Sequence, residues 1–260
     1  MNKTEQQREH FESISSEYFQ ARKHPSHLLI KQFIWEYFFA RAGLPQEHYN
    51  VLEPMCGYAE GKTILESYAK LDVVYTGFDY SQTLIDLVKH EQPDLNIFWQ
   101  DVMSIDGERF AGKFDLVILI GGLHHVYDKT DVVLKKIAAT LKDGGYFINF
   151  EPTHNFAPFR MAREYIYNRN KLFDEETEQA YDLAALNRLY VEGGFEVVEQ
   201  IYPGLLAYVL YYNPDAFPLL NRGGALAVKA AFALDRLFVR NFVGRKFSFA
   251  TMSLLRKLPA

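Results

Sequence analysis

Residues 51–63, V-L-E-P-M-C-G-Y-A-E-G-K-T, gather two carboxylates, a thiol and an ammonium around a small-residue turn. An apolar strand end at Val51 and Leu52 runs into Glu53, then the turn, then a helix-compatible stretch over 62–70. Strand, tight loop and helix in that order place a ligand at the carboxyl end of a parallel strand. Gly57 lets the backbone turn sharply and approach that ligand. A dinucleotide loop, G-x-G-x-x-G, would need a glycine where Met55 stands. A phosphate loop, G-x-x-x-x-G-K-[ST], finds Gly61, Lys62 and Thr63 but meets Cys56 at its first glycine. An ordinary strand-to-helix turn needs no ligand at all. Charge discriminates among these. Glu53 and Glu60 flank the loop and would repel a di- or triphosphate. They suit a ligand with cationic groups and no phosphate, such as S-adenosylmethionine (SAM) with its ammonium and sulfonium.

Two further carboxylates repeat the position of Glu53. Asp79 follows an apolar stretch at 73–78, and Asp101 follows one at 96–100. Asp79 is placed to accept hydrogen bonds from two ribose hydroxyls, and Asp101 from an adenine amino group. Either acid alone could be a helix cap or a solvated loop residue. Three in register at successive strand ends point to a ligand.

The elements that must position these groups follow from periodicity. Apolar residues Phe11, Ile14, Tyr18 and Phe19 step at helical spacing over 3–21. Pro25 interrupts, Ser26 is the expected cap of a second helix over 27–42, and Gly43 and Pro45 end it. These helices would lie over the loop as a lid or pack plainly on the sheet. Strands are expected at 49–53, 73–78, 96–100, 114–120 and 145–151, with helices near 62–70, 81–90 and 129–141. The run F-D-L-V-I-L-I at 114–120 is apolar throughout, as in a strand covered on both faces. Such alternation means a doubly wound parallel α/β sheet.

Composition bounds the rest. The 260 residues are 48% hydrophobic, enough for one large domain, or one domain with an elaboration. A net charge of −5 gives no basic field for nucleic acid. The 21 Phe and 17 Tyr fit a large apolar pocket or a bulky core equally well. Cys56 is the single cysteine, so no intrachain disulfide forms. The opening M-N-K-T-E-Q-Q is too polar for a secretory signal, and no apolar run reaches membrane-spanning length. A soluble, cytoplasmic protein is expected.

With these motifs in order, residues 49–200 resemble the class I SAM-dependent methyltransferases. The resemblance rests on E-P-M-C-G-Y-A at 53–59, F-D-Y-S at 78–81, Q-D-V at 100–102, F-D-L-V-I-L-I-G-G-L-H-H-V at 114–126 and L-K-D-G-G-Y-F-I-N-F-E-P at 141–152. It implies a Rossmann-like seven-stranded sheet, with SAM as cofactor and S-adenosylhomocysteine as product. It implies a cofactor site built from Tyr18, Glu53, Met55, Cys56, Gly57, Asp79, Tyr80, Asp101, Val102 and Gly121. Met55 and Ala59 replace the family's first and third glycines, and Met55 adds bulk beside the methionine part of SAM.

His124 and His125 fall where the resemblance puts the transferred methyl group. A histidine there could take a proton from an acceptor hydroxyl as its oxygen attacks the methyl. Methyl transfer also proceeds by proximity and alignment alone, with the histidines as packed loop residues. A metal site from His124, His125, Glu151 and His154 is not expected, because adjacent histidines at a strand end seldom point the same way.

After Pro152, helices are expected at 159–168 and 175–192, followed by a sixth strand at 195–200 and a last strand at 247–255. Between these two strands, 222–243 reads as one largely apolar helix with Lys229, Arg236 and Arg240 on a narrow stripe. It suits a membrane surface or a lipid-like substrate wall, or else burial against the domain or a dimer partner. The expected division is an N-terminal helical lid (1–45), a SAM-binding core (46–215) with a substrate insertion near 153–192, a helical insertion (216–246), and a final strand and tail (247–260). The function expected is methyl transfer from SAM to a small-molecule or lipid-linked acceptor, most readily at oxygen. A P-loop-like nucleotide hydrolase and a SAM-binding protein without activity are the alternatives.

Overall fold

The computed structural model describes residues 23–105, 107–156, 179–212 and 222–259. The helix expected over 3–21, Tyr18 within it, and the helix expected at 159–168 lie outside the described residues.

The first described helix, α1 (Pro25–Ala42), opens on the proline that was expected to stand before it, between two helices. A proline suits a first helical turn, where its missing N–H would have had no partner. The cap is His24, whose Nδ1 accepts from the Ser26 N–H at 3.2 Å; Ser26 is not the cap. Gly43, at φ +61°, ends the helix as expected.

Seven strands form one sheet in the order β3-β2-β1-β4-β5-β7-β6. They are β1 (His48–Pro54), β2 (Asp72–Asp79), β3 (Ile97–Trp99), β4 (Phe114–Ile120), β5 (Leu141–Pro152), β6 (Phe195–Ile201) and β7 (Ala250–Lys257). The strand β7 runs antiparallel to β5 and β6, and the remaining pairs are parallel. Helices α2 (Glu60–Ser67), α3 (Gln82–Glu91), α4 (Gly107–Phe110), α5 (Thr130–Thr140) and α6 (Leu183–Glu192) connect the strands.

Both faces of the sheet are covered, and β4 shows why its sequence is continuously apolar. Leu116 and Ile118 enter one buried cluster, with Ile30, Ile34 and Trp35 of α1. Val117 and Leu119 enter the other, with Val133, Leu134 and Ile137 of α5. The strand order reverses between β1 and β4. That reversal opens a crevice at their carboxyl ends, where doubly wound sheets bind ligands.

Between β6 and β7 the chain makes α7 (Leu206–Tyr211), α8 (Gly224–Asp235) and α9 (Phe242–Phe247). The single helix expected over 222–243 is therefore broken. Asp235 turns inward and accepts from the Leu206 and Ala207 N–H groups at 3.1 and 2.7 Å, capping α7. The backbone then tightens, with Phe238 N–H bonded to Asp235 O, and Asn241 starts α9 by accepting from Val243 and Gly244. At Gly244 a side chain would meet the Phe238 carbonyl oxygen at 2.0 Å, so only glycine fits there. Because 242–247 is helical, β7 starts at Ala250 and not at 247.

Candidate functional site

The loop between β1 and α2 lies at the crevice, and its backbone alternates. Met55, Gly57 and Ala59 have φ of +52°, +50° and +56°. These are the three glycine positions of the resemblance, so the left-handed turns persist although two glycines do not. Each L-residue held so costs roughly 1–2 kcal/mol, which neighbouring contacts must offset. The Met55 sulfur lies 3.3 Å from where a Gly122 side chain would begin, so its chain bridges the β1 loop and the turn after β4. Cys56 is buried, and burial pushes its thiol well up, leaving the backbone of this residue to line the loop.

Carboxylates fasten this loop from two sides. Asp79, ending β2, accepts from Gly57 N–H and Ser81 N–H, each at 2.8 Å. Glu53 is buried, and accepts from Gly61 N–H at 3.1 Å and from the Tyr75 hydroxyl. Gly61 must be glycine, since a side chain would sit 2.7 Å from that carboxylate. Desolvation pushes the Glu53 carboxyl up to about 8, against its bonds to Tyr75 and Gly61. Near neutral pH it thus holds its proton. Glu60 is ion-paired with the buried Lys31 of α1 at 2.7 Å. The charge argument against polyphosphates is therefore corrected: neither glutamate presents a bare charge to the loop. Lys62 supplies the better discriminator. It pairs with Glu66 at 2.5 Å along α2, not with a ligand cradle in the loop, so the phosphate-loop reading loses its key cation.

Tyr80, Asp101 and Val102, expected on the adenine side, follow the ends of β2 and β3. Tyr80 and Trp99 pack with ring centroids 5.6 Å apart, and Trp99 Nε1 donates to the Tyr80 carbonyl at 2.8 Å. Asp101 caps the short 3-10 turn Val102–Ser104, with Oδ1 accepting from Met103 N–H at 2.8 Å. One oxygen thus does the capping weighed against a ligand role. Val102 is buried in the apolar cluster.

Past β4, Gly121 takes φ +63° and donates its N–H to Phe150 O at 2.7 Å. The 3-10 stretch Leu123–Lys129 carries His124 and His125, with ring centroids 4.0 Å apart. Glu151, fully buried at the end of β5, organises this turn. It accepts from the N–H groups of Gly122 at 3.0 Å, Leu123 at 2.8 Å and His124 at 3.4 Å, and from Asn149 Nδ2 at 3.1 Å. Its Oε2 also lies 2.9 Å from His124 Nδ1. Tyr190 donates to Asn149 Oδ1, and Tyr181 donates to the Leu123 carbonyl at 2.8 Å, so the network is buried and interlocked. A carboxylate at Nδ1 fixes a neutral imidazole with its proton there and leaves Nε2 basic. Among the described residues, no group of three His, Cys, Asp or Glu has metal-binding geometry.

The family model described as "Methyltransferase domain" matches residues 26–200, which hold every strand of the crevice. The chain belongs to this methyltransferase domain family. The ubiquinone biosynthesis O-methyltransferase of Coxiella burnetii is 32% identical over 128 residues, 46% of this chain and 51% of that protein. The chain thus spans about half the length of the curated relatives it matches. A SAM-dependent methyltransferase of Thermotoga maritima superposes with a TM-score of 0.60 at 16% identity, covering 96% of this chain and 99% of that one. A cyclopropane synthase of Mycobacterium tuberculosis gives 0.58 at 14%, over 86% and 83%. At these identities the likeness concerns the fold, and the two names differ in reaction. Class I methyltransferases use SAM as methyl donor, and the rewired glycine loop and Asp79 of this methyltransferase domain fit that group.

Three contributors were missed by sequence reasoning. Glu151 was weighed only as a metal ligand, although an acid ending the fifth strand beside a His-His turn is a signal. Lys31 reads as an ordinary helix lysine, and nothing in the sequence marks its burial. Trp99 precedes Q-D-V directly and could have been found as an aromatic at a strand end.

Proposed function

We propose that this protein transfers the methyl group of SAM to an oxygen of a small-molecule or lipid-linked acceptor, with His124 as general base. The carrying observation is the 2.9 Å contact between His124 Nδ1 and the buried Glu151, beside the crevice. SAM, when bound, supplies an electrophilic methyl on a positive sulfur. Nε2 of His124 would take the proton of the acceptor hydroxyl whose oxygen receives the methyl, and Glu151 at Nδ1 would stabilise the resulting imidazolium. Asp79 would hold the ribose hydroxyls of the bound group, and the 55–59 backbone would line its methionine part. The name of the Coxiella relative supports oxygen as the atom methylated.

Methyl-labelled SAM, offered with phenolic acceptors carrying or lacking an isoprenoid tail, tests the reading. His124→Ala should cut turnover about a hundredfold or more while SAM affinity holds. Full turnover in that variant removes the base. SAM binding with no methylated product from any acceptor favours a non-catalytic binding protein.

A further inference from the structure

We propose that the outer surface formed by 224–246 docks on an anionic lipid bilayer. This goes beyond the methyl-transfer reading and does not depend on it. The helix α8 buries Val228, Ala231, Phe232 and Asp235, the side turned to α1. Its opposite side is the unusual one. A surface helix ordinarily turns polar residues outward, yet here Leu226 is 80% exposed and Ala230, Ala233 and Leu234 lie on the same outer side. The pattern continues past the break, with Leu237 66% exposed and Phe242, on α9, 72% exposed. Exposed apolar side chains of this size and number mark a surface that something covers.

Charge says what covers it. Residues 222–246 hold six basic side chains and one acid, in a chain of net charge −5. The one acid, Asp235, is buried and spent on the α7 cap, so the outer charges here are cationic. Lys229, Arg236 and Arg245 are exposed among the apolar residues. Arg240 is tied to Glu199 at 3.2 Å, so it contributes less than the continuous stripe expected from sequence implied. Exposed leucine and phenylalanine ringed by cations fit the boundary between headgroups and acyl chains, where apolar burial and attraction to anionic lipid act together. The break at Asp235 helps, because it lets α9 present Phe242 and Arg245 separately from α8. No described helix is long and apolar enough to cross a membrane, so the contact is at the surface.

Co-sedimentation with phosphatidylcholine vesicles, with and without phosphatidylglycerol, is the test. The parent protein should bind the phosphatidylglycerol vesicles at low salt and leave them at high salt. Lys229→Gln/Arg236→Gln/Arg245→Gln should weaken that partitioning about a hundredfold, and Leu237→Ser/Phe242→Ser should weaken it further from the apolar side. Circular dichroism and thermal unfolding check that each variant is folded, and calorimetry with SAM on the parent reports on methyl transfer, not on docking. Absence of binding to anionic vesicles by the parent overturns the proposal. So does a stable dimer in light scattering that dissociates in Leu237→Ser/Phe242→Ser, since a second copy would then be the cover.

Discussion

Two buried glutamates end strands on either side of the switch point, and they are held differently. Glu53, near the end of β1, meets one backbone N–H and a phenol. Glu151, ending β5, meets three backbone N–H groups, an amide and an imidazole. A buried carboxylate stays charged only where enough donors replace its water. Glu53 is under-supplied and is pushed up to about 8, so it acts as a neutral pin between the loop and β2. Glu151 is richly supplied and orients a histidine. The same residue type thus pins a loop after β1 and holds an imidazole after β4, where the proposed mechanism needs one.

The largest effect should come from titrating Glu53. Glu53 unfolded ionises near 4.5, and folded near 8. Its folded value is raised, so its contribution to stability is full below pH 4.5 and is lost as pH rises to 8. The whole span is worth roughly 4–5 kcal/mol. Denaturant unfolding of the parent at pH 5 and pH 8 should show about 3–4 kcal/mol of that loss, and Glu53→Gln should flatten it. An equally steep decline in the variant would mean that another group carries the slope.

The hold on the imidazole is broken by Glu151→Gln. The amide keeps the shape but no longer stabilises an imidazolium, so turnover should fall about a hundredfold. A purely structural residue would lower stability and leave the turnover of the folded molecules alone. Here kcat of the folded variant should fall with SAM affinity unchanged.

How much of this was legible follows the same division. The half around β1 and β2 could be read because its signals are local: an acid at each strand end, and glycine or its substitutes in a loop of fixed length. The strands themselves and the places of Asp79 and Gly57 at their carboxyl ends followed from them. The half after β4 depends on partners far apart in sequence. Glu151 meets His124 across neighbouring strands, and Asp235 reaches back to cap α7. That inward turn broke a helix whose periodicity alone ran straight through to 243. Periodicity counts apolar residues and does not see a carboxylate recruited by another helix.

A smaller effect sharpens the reading of Asp79. Its carboxylate already binds two N–H groups and has lone pairs left for ribose hydroxyls. Asp79→Ala should weaken SAM binding by about 1.5–3 kcal/mol in calorimetry. Affinity equal to the parent's would confine Asp79 to holding Gly57 in place.

The smallest effect concerns the two substituted glycine positions, and its sign is the informative part. Ala59→Gly relieves a left-handed alanine but loosens the unfolded chain, and these terms are of similar size, near 1 kcal/mol. Its stability should therefore change by less than about 0.5 kcal/mol. Met55→Gly adds a third term, because it removes the side chain that reaches the Gly122 turn and packs against the apolar cluster. Losing that contact should leave the variant about 1 kcal/mol less stable than the parent. SAM affinity should stay within about threefold, since the side chain is turned to the β4 end and the backbone lines the loop. Calorimetry that instead found tighter binding in Met55→Gly would show that the methionine intrudes on the cofactor, and that its packing was gained at the cofactor's expense.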